Sequence, residues 1–451
     1  MTSPISPLGA ALDPTIILPT ERLGDYAVEG VTPSLVVRPR SVGEVRQVLA
    51  EAHREEAAVV PWGGGTRMAL GAPPRAYHLA LDLTGIDQPL EHSPADMTAR
   101  VGAGTTLERL QGALRQHGQF LPLDAPLPQR ATIGGILASS TYGPLCAGYG
   151  FPRDMVIGMG VVHADGTLTR SGGQVVKNVT GYEMHRLYTG SLGTLAVIVE
   201  ATFKVAPLPR EERTVVAAFP SAEGAIGAGL AVVRAGLAPM AVEVLTDPAW
   251  QLVPASALPL APEERKAFWL LLRFGGPPPA VARQERDALA ICQRFGVSLR
   301  GVEILAGEGG RALWRAVADL GSVEPQPPLC VRLSALPSQG VHLLALVEEV
   351  GAALPPGPAL ALHASIGVVR ALWPAGPGLD APQKVAPVLR ALRERAHALG
   401  ARMIVERASP PVKLALNPWD AQVETMQVQR SLKAQFDPKG ILNPGRFVGG
   451  I

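Results

Sequence analysis

The chain has 451 residues, 47% hydrophobic and 18% charged, with a formal net charge of +2 from 41 basic and 39 acidic residues. That length favours two or three domains over a single core, and the apolar share excludes a disordered chain. The near balance of charge gives no reason to expect nucleic acid or an anionic membrane as a partner. Cys146, Cys292 and Cys330 lie far apart with no C-x-x-C spacing, which points away from a disulfide framework and from an iron–sulfur site. The opening "MTSPISPLGAALDPTIILP" lacks a basic n-region and a long apolar core, so no signal peptide is expected. No run approaches the about 18 apolar residues of a membrane span, and a cytoplasmic location is expected.

The first half alternates short strands with helices. "SLVVRP" predicts a strand, and Ser41 with Glu44 forms a capping box for a helix ending near residue 54. "AAVV" predicts the next strand, followed by "PWGGGTRMALG", residues 61–71. Alternating Leu79, Leu81 and Leu83 predict a third strand with one apolar face. "MTARVGAG" predicts a fourth, and Thr105 with Glu108 a second capping box, for "LERLQGALRQHG". Residues 155–170 predict two strands around the turn "ADG". "TLAVIVEATFKV" predicts a long strand ending at the proline-punctuated "APLPRE", which places a domain boundary near residue 209.

Beyond it the pattern changes. "TVVAAF", "AEGAIGAGLAVVRAG", "AVEVL", "FWLLLRF", "AVARQERDALAICQRFG" and "VEIL" give β-α-β-β-α-β, the ferredoxin-like order. A comparable order runs from "LCVRLSAL" to "RMIVERA" without any sequence repeat. Two such units sharing one helix-covered antiparallel sheet are expected. The tail "FDPKGILNPGRFVGGI" is rich in turn residues and reads as pinned.

Gly63, Gly64 and Gly65 lack the lysine of a P-loop, and the helix that follows a Rossmann fingerprint is replaced by "MALGAPP". What remains is either a tight strand-to-strand turn or a nest of backbone N–H groups for a pyrophosphate. Two further loops of the same kind, "ATIGGILASSTYGP" and "GSLGTLAVI", favour one long ligand that touches all three.

With "RDMVIGMGVVHADGTL", "VVKNVTGYEMHRLYTG" and "FDPKGILNPGRF" added, the chain resembles the flavoproteins of the vanillyl-alcohol-oxidase type. Among these it is most similar to the smaller FAD-binding subunits of bacterial glycolate oxidases. The resemblance implies an α+β fold. A PCMH-type FAD-binding domain of two subdomains (residues 1–209) would precede a ferredoxin-like cap domain (210–420). A C-terminal segment (421–451) would return to the FAD domain. It implies that Pro61, Trp62, Gly63, Gly64, Gly65 and Thr66 hold the pyrophosphate region. Thr132, Ile133, Gly134, Gly135, Ser139 and Gly143 would line the ribityl and isoalloxazine side. Gly193, Val197 and Ile198 would offer backbone, and Asn443 would close over the flavin. Some relatives bind flavin covalently; the first loop has no histidine and the surroundings of Cys146 do not match, so non-covalent FAD is expected.

Larger relatives carry a His-x-Gly-Asp-Gly-Asn-x-His run and a Glu-His-Gly, suited to a divalent cation and a base. The matching stretches here read "LHASIGVVRA" and "IVERASPP", leaving His363 and Glu406 without their companions. Asn178 and Leu192 replace an Asp and a Glu of catalytic relatives. No metal site is therefore expected, and the catalytic residues are left unassigned. The implied role is electron transfer or assembly beside a catalytic flavoprotein and an iron–sulfur subunit, in the oxidation of glycolate. Through those partners the chain would sit peripherally at a membrane. Two alternatives stay open: an autonomous dehydrogenase of D-lactate type whose substrate is held by Arg332, Arg370 or Arg402, read otherwise as surface ion pairs, and a scaffold without flavin.

Overall fold

The computed structural model describes residues 7–87, 90–174, 181–258, 268–297, 301–420 and 423–451. It divides into two units. One comprises Met1–Thr141, Phe151–Pro207 and Trp419–Ile451, and the other Tyr142–Gly150 and Leu208–Pro418.

The first unit holds a parallel sheet of β1 (Leu35–Val37), β2 (Val59–Trp62) and β3 (Leu79–Asp82), in the order β1-β3-β2. All of β3 is buried, not only its leucine face, because a central parallel strand is covered on both sides. Helix Val42–Arg54 packs Val45, Val48, Leu49 and Ala52 on this sheet, the spacing of one helical face. Its entry is capped twice: Ser41 Oγ accepts from the Glu44 N–H, and Glu44 reaches back to the N–H of Arg40, not of Ser41. The second predicted box is displaced by one residue. Thr106, not Thr105, caps helix Leu107–Arg115.

The same unit contains an antiparallel sheet in the order β4-β5-β9-β7-β8 and a ribbon of β6 with β10. Their ranges are β4 (Glu91–Ser93), β5 (Thr98–Gly102), β6 (Gln119–Phe120), β7 (Val156–Val162), β8 (Leu168–Gly172), β9 (Val197–Lys204) and β10 (Ala206–Pro207). The expected "ADG" hairpin joins β7 to β8; Asp165 Oδ1 accepts from the Thr167 N–H and Gly166 takes a positive φ of 85°. The tail completes the parallel sheet, since the Val59 N–H donates to Ile441 O and the Asn443 N–H to Val59 O, each at 2.8 Å.

The second unit is one eight-stranded antiparallel sheet, ordered β14-β11-β13-β12-β16-β17-β15-β18. Its first half is β11 (Glu211–Phe219), β12 (Ala241–Leu245), β13 (Phe268–Gly276) and β14 (Val302–Ala306). Its second is β15 (Leu329–Ser334), β16 (Ala359–His363), β17 (Val368–Trp373) and β18 (Arg402–Arg407). Each half has ferredoxin-like order, and the two meet edge to edge through β12 and β16, which removes one open edge from each. Four helices, Ala222–Arg234, Pro278–Arg294, Gly340–Gly351 and Pro382–Ala398, bury one face of the sheet.

Candidate functional site

In the first unit the three small-residue loops pack on one another. A Cβ on Gly63 would lie 2.2 Å from Thr132 Oγ1, and one on Gly64 only 1.7 Å from the carbonyl oxygen of Arg130. Both glycines are therefore crowded by the second loop and the residue before it, Gly63 by the Thr132 side chain and Gly64 by the backbone of Arg130 and Ala131. Gly65 has φ +70°, with its Cβ position against the Trp62 ring. Thr132 Oγ1 caps helix Ile133–Ser139 by accepting from the Gly135 N–H at 3.3 Å. The third loop rests on the far end of that helix, since the N–H groups of Gly190 and Leu192 donate to Leu137 O and Ala138 O at 2.8 Å. Gly193, at φ +69°, lies over Pro61. Asn443 Nδ2 donates to Leu192 O at 2.6 Å, which ties the tail to the third loop.

Pro61–Thr66, Thr132–Gly135, Gly193 and Asn443 are thus linked by direct contacts. Ser139 spends its hydroxyl on Gly135 O at 2.6 Å. Val197 and Ile198 are buried at the start of β9, so only their backbone is left for a ligand. Gly143 falls in the second unit, where its carbonyl accepts from the Cys146 N–H. Asn178 lies outside the described residues.

The loops fit an anionic, flat ligand. Among the described residues the N–H groups of Gly63, Gly64, Gly65 and Thr66 donate no hydrogen bond. A run of open backbone donors with a positive-φ glycine is an anion-binding concavity. Two buried acceptors, Thr105 Oγ1 and Asn443 Oδ1, also have no partner, a state that buried polar atoms rarely keep without a ligand or water. Around Gly135 the only heavy atom near a Cβ position is its own helix cap at 3.1 Å. Sequence reasoning assigned Thr105 to the helix cap, a role that the adjacent Thr106 takes, and so did not count its hydroxyl toward a ligand.

The second unit gathers ionisable groups on the sheet face opposite its four helices. Glu243 on β12 and His363 on β16 are paired in register, and Glu243 Oε1 lies 2.5 Å from His363 Nδ1. Arg370 on β17 is directly opposite Arg332 on β15. Arg332 Nε donates to Glu406 Oε1 at 3.0 Å, and Arg332 Nη1 to the Tyr142 hydroxyl at 3.3 Å. Arg370 Nε is 3.8 Å from Glu406 Oε2. The Tyr142 ring centroid is 5.9 Å from that of His363. Burial pushes the Glu243 carboxyl above its ordinary range, against the pull of His363 and Arg370. Burial likewise raises the Tyr142 phenol, opposed by Arg332.

This arrangement corrects the reading of two arginines. His363, without its motif companions, is a buried hydrogen-bonded residue whose partner is a carboxylate 120 positions earlier in the chain. Arg332 and Arg370 are not surface ion pairs; their side chains are only 23% and 13% exposed. Arg402, by contrast, is exposed. Among the described residues no three His, Cys, Asp or Glu side chains are placed to hold a metal ion, and no helix is long and apolar enough to cross a membrane.

Comparison with known proteins gives concordant results. Residues 33–172 match the FAD binding domain family, and residues 208–320 and 413–447 match the FAD linked oxidases, C-terminal domain. The chain is 28% identical to "Glycolate oxidase subunit GlcD" of Bacillus subtilis (strain 168), over 92% of this chain and 89% of that protein. It is 30% identical to "D-2-hydroxyglutarate dehydrogenase" of Xanthomonas citri pv. viticola, over 70% of this chain and 68% of that protein. In fold it resembles p-cresol methylhydroxylase, solved with substrate bound, with a TM-score of 0.73 at 16% identity, covering 98% of this chain and 95% of the other.

Proposed function

The chain belongs to the FAD-linked oxidases, and from that footing we propose that it works in the oxidation of a small 2-hydroxy acid, glycolate to glyoxylate. It is an FAD-dependent oxidoreductase; bound FAD supplies the two-electron acceptor. The open N–H groups of Gly63–Thr66 hold the pyrophosphate, with Pro61 and Trp62 behind them. Thr132, Ile133, Gly134, Gly135 and Ser139 lie along the ribityl and isoalloxazine part. Gly193, Val197 and Ile198 offer backbone, and Asn443 offers its unpaired Oδ1. Gly143 is proposed to line the same ribityl and isoalloxazine part. The cofactor is held without a covalent bond.

One observation carries the catalytic reading: the buried hydrogen bond between His363 and Glu243. Oxidising an alcohol requires removal of the hydroxyl proton as hydride leaves carbon, and a positioned base supplies that step. Glu243 fixes the imidazole through Nδ1. Nε2 makes no hydrogen bond among the described residues and remains free to accept the proton.

The word "subunit" in the name of the Bacillus relative favours a second reading. Here the chain works with a catalytic flavoprotein and an iron–sulfur protein, to which electrons pass. The deciding experiment expresses the chain alone and with such partners from one organism, then assays glycolate, D-lactate and D-2-hydroxyglutarate with a dye acceptor. Turnover by the lone chain supports its own catalysis. Turnover only in the mixture supports the subunit role, and no flavin reduction by any of the three acids in either preparation overturns both.

A further inference from the structure

We propose that Arg370 and Arg332 form a metal-independent receptor for the carboxylate of the ligand that the second unit takes. The proposal deepens the 2-hydroxy-acid reading above and rests on it for the identity of the substrate. The two arginines come from adjacent antiparallel strands at directly opposed positions, so both guanidinium groups leave the same face of the sheet. Both are largely withdrawn from water. Arg332 is already fixed, with Nε on Glu406 and Nη1 on Tyr142.

Arg370 is placed differently. Its approach to Glu406, at 3.8 Å, exceeds hydrogen-bond length, and its other polar neighbours are the Cys330 thiol, the Tyr142 phenol and the Glu243 carboxyl. None of its nitrogens is sealed off from solvent without a partner. A guanidinium offers five N–H donors in a planar fork that matches a carboxylate. A largely desolvated fork whose approach to Glu406 is beyond hydrogen-bond length is a receptor for one.

Tyr142 links this receptor to the proton acceptor. Its hydroxyl meets Arg332 while its ring lies beside the His363 ring. A ligand with a carboxylate and a hydroxyl on adjacent carbons suits two such groups spanned by one side chain. The positive charge needed to anchor the acid then comes from arginine, with no divalent cation involved.

The test uses the FAD-loaded protein and oxalate, a dicarboxylate without an oxidisable C–H, titrated calorimetrically in the presence of a chelator. The wild type should bind oxalate, and oxalate should compete with glycolate in the dye assay. Arg370→Met should weaken oxalate about 10- to 100-fold, the range for a hydrogen bond to a charged group, and raise KM for glycolate similarly. Arg370→Lys keeps the charge and loses the fork, so it should fall between the two. It also keeps the test usable if the methionine variant does not fold. Unchanged oxalate affinity in both variants overturns the proposal, as does tighter binding of inorganic phosphate than of oxalate, or loss of oxalate binding on chelation. Arg370-dependent oxalate binding without glycolate turnover overturns the assigned reaction and supports the receptor. Glycolate turnover with a KM indifferent to Arg370 overturns the receptor alone.

Discussion

Glu243 and His363 face each other across the seam where the two ferredoxin-like halves of the eight-stranded sheet join, 2.5 Å apart and buried. Neither half contains the pair. Glu243→Gln keeps the shape and removes the charge that orients and supports the imidazole. Flavin reduction by glycolate is expected to slow by about 100-fold, within the range for general base catalysis, with little change in KM. Stopped-flow reduction of the bound flavin measures it. A rate within a few-fold of wild type would remove His363 from the proton step.

The pair also has a pH signature. Because burial raises the Glu243 carboxyl above 4.5, the unfolded chain ionises first as pH rises. Between 4.5 and the folded value the native state therefore holds the extra proton, and the stability from this group falls with rising pH. Above the folded value the penalty of burying the charge is complete. Glu243→Gln has no such loss, so its stability relative to wild type should improve across that window. Urea unfolding of both proteins at several pH values checks the sign, and a flat difference contradicts the assigned burial effect.

Two glycine variants separate packing from ligand contact. Gly64→Ala adds a methyl group 1.7 Å from Arg130 O, and backbone there cannot yield cheaply. It should destabilise the protein by about 3 kcal/mol and release FAD. Gly135→Ala meets only the Thr132 hydroxyl at 3.1 Å, so it should melt near the wild type yet bind FAD more weakly. Thermal melts with and without added FAD distinguish them. Equal FAD affinity in Gly135→Ala and wild type places the flavin elsewhere.

Acid precipitation should release free FAD from the purified holoprotein, because the non-covalent assignment leaves nothing to retain it. Flavin remaining with the pellet contradicts the non-covalent assignment, and FMN in the supernatant contradicts the assignment of the first loop to a pyrophosphate.

The strand and helix order was largely legible because alternation and helical spacing are local properties. The ferredoxin-like order of both halves follows from them. The three loops around Gly63, Gly134 and Gly193 were legible as a set. The reason for Gly64 was not, since the sequence suggests an empty place for phosphate and the structure puts Arg130 O there. The acid–base pair was invisible for a related reason: which strands meet at the seam is decided by whole-sheet assembly, and Glu243 carries no local mark. Arg332 and Arg370 were misjudged because spacing along a strand gives alternation but not which face lies open. The shift from Thr105 to Thr106 is smaller, two equivalent capping residues being side by side.

The tail has a consequence for how the protein is made. Lys433 donates to Thr194 O, Leu442 O and Asp437, while Asp437 receives the N–H groups of Ile441 and Leu442. The Arg446 guanidinium holds the carbonyls of Met68, Leu70 and Ala72. The first unit is therefore closed by residues synthesised only after all of Leu208–Pro418 has emerged. Domains fold as units during synthesis, so the second unit has its full sequence available before the first does. During translation the nascent flavin cradle waits with its edge strand and its Asn443 missing, and secure cofactor capture is an event of the released chain.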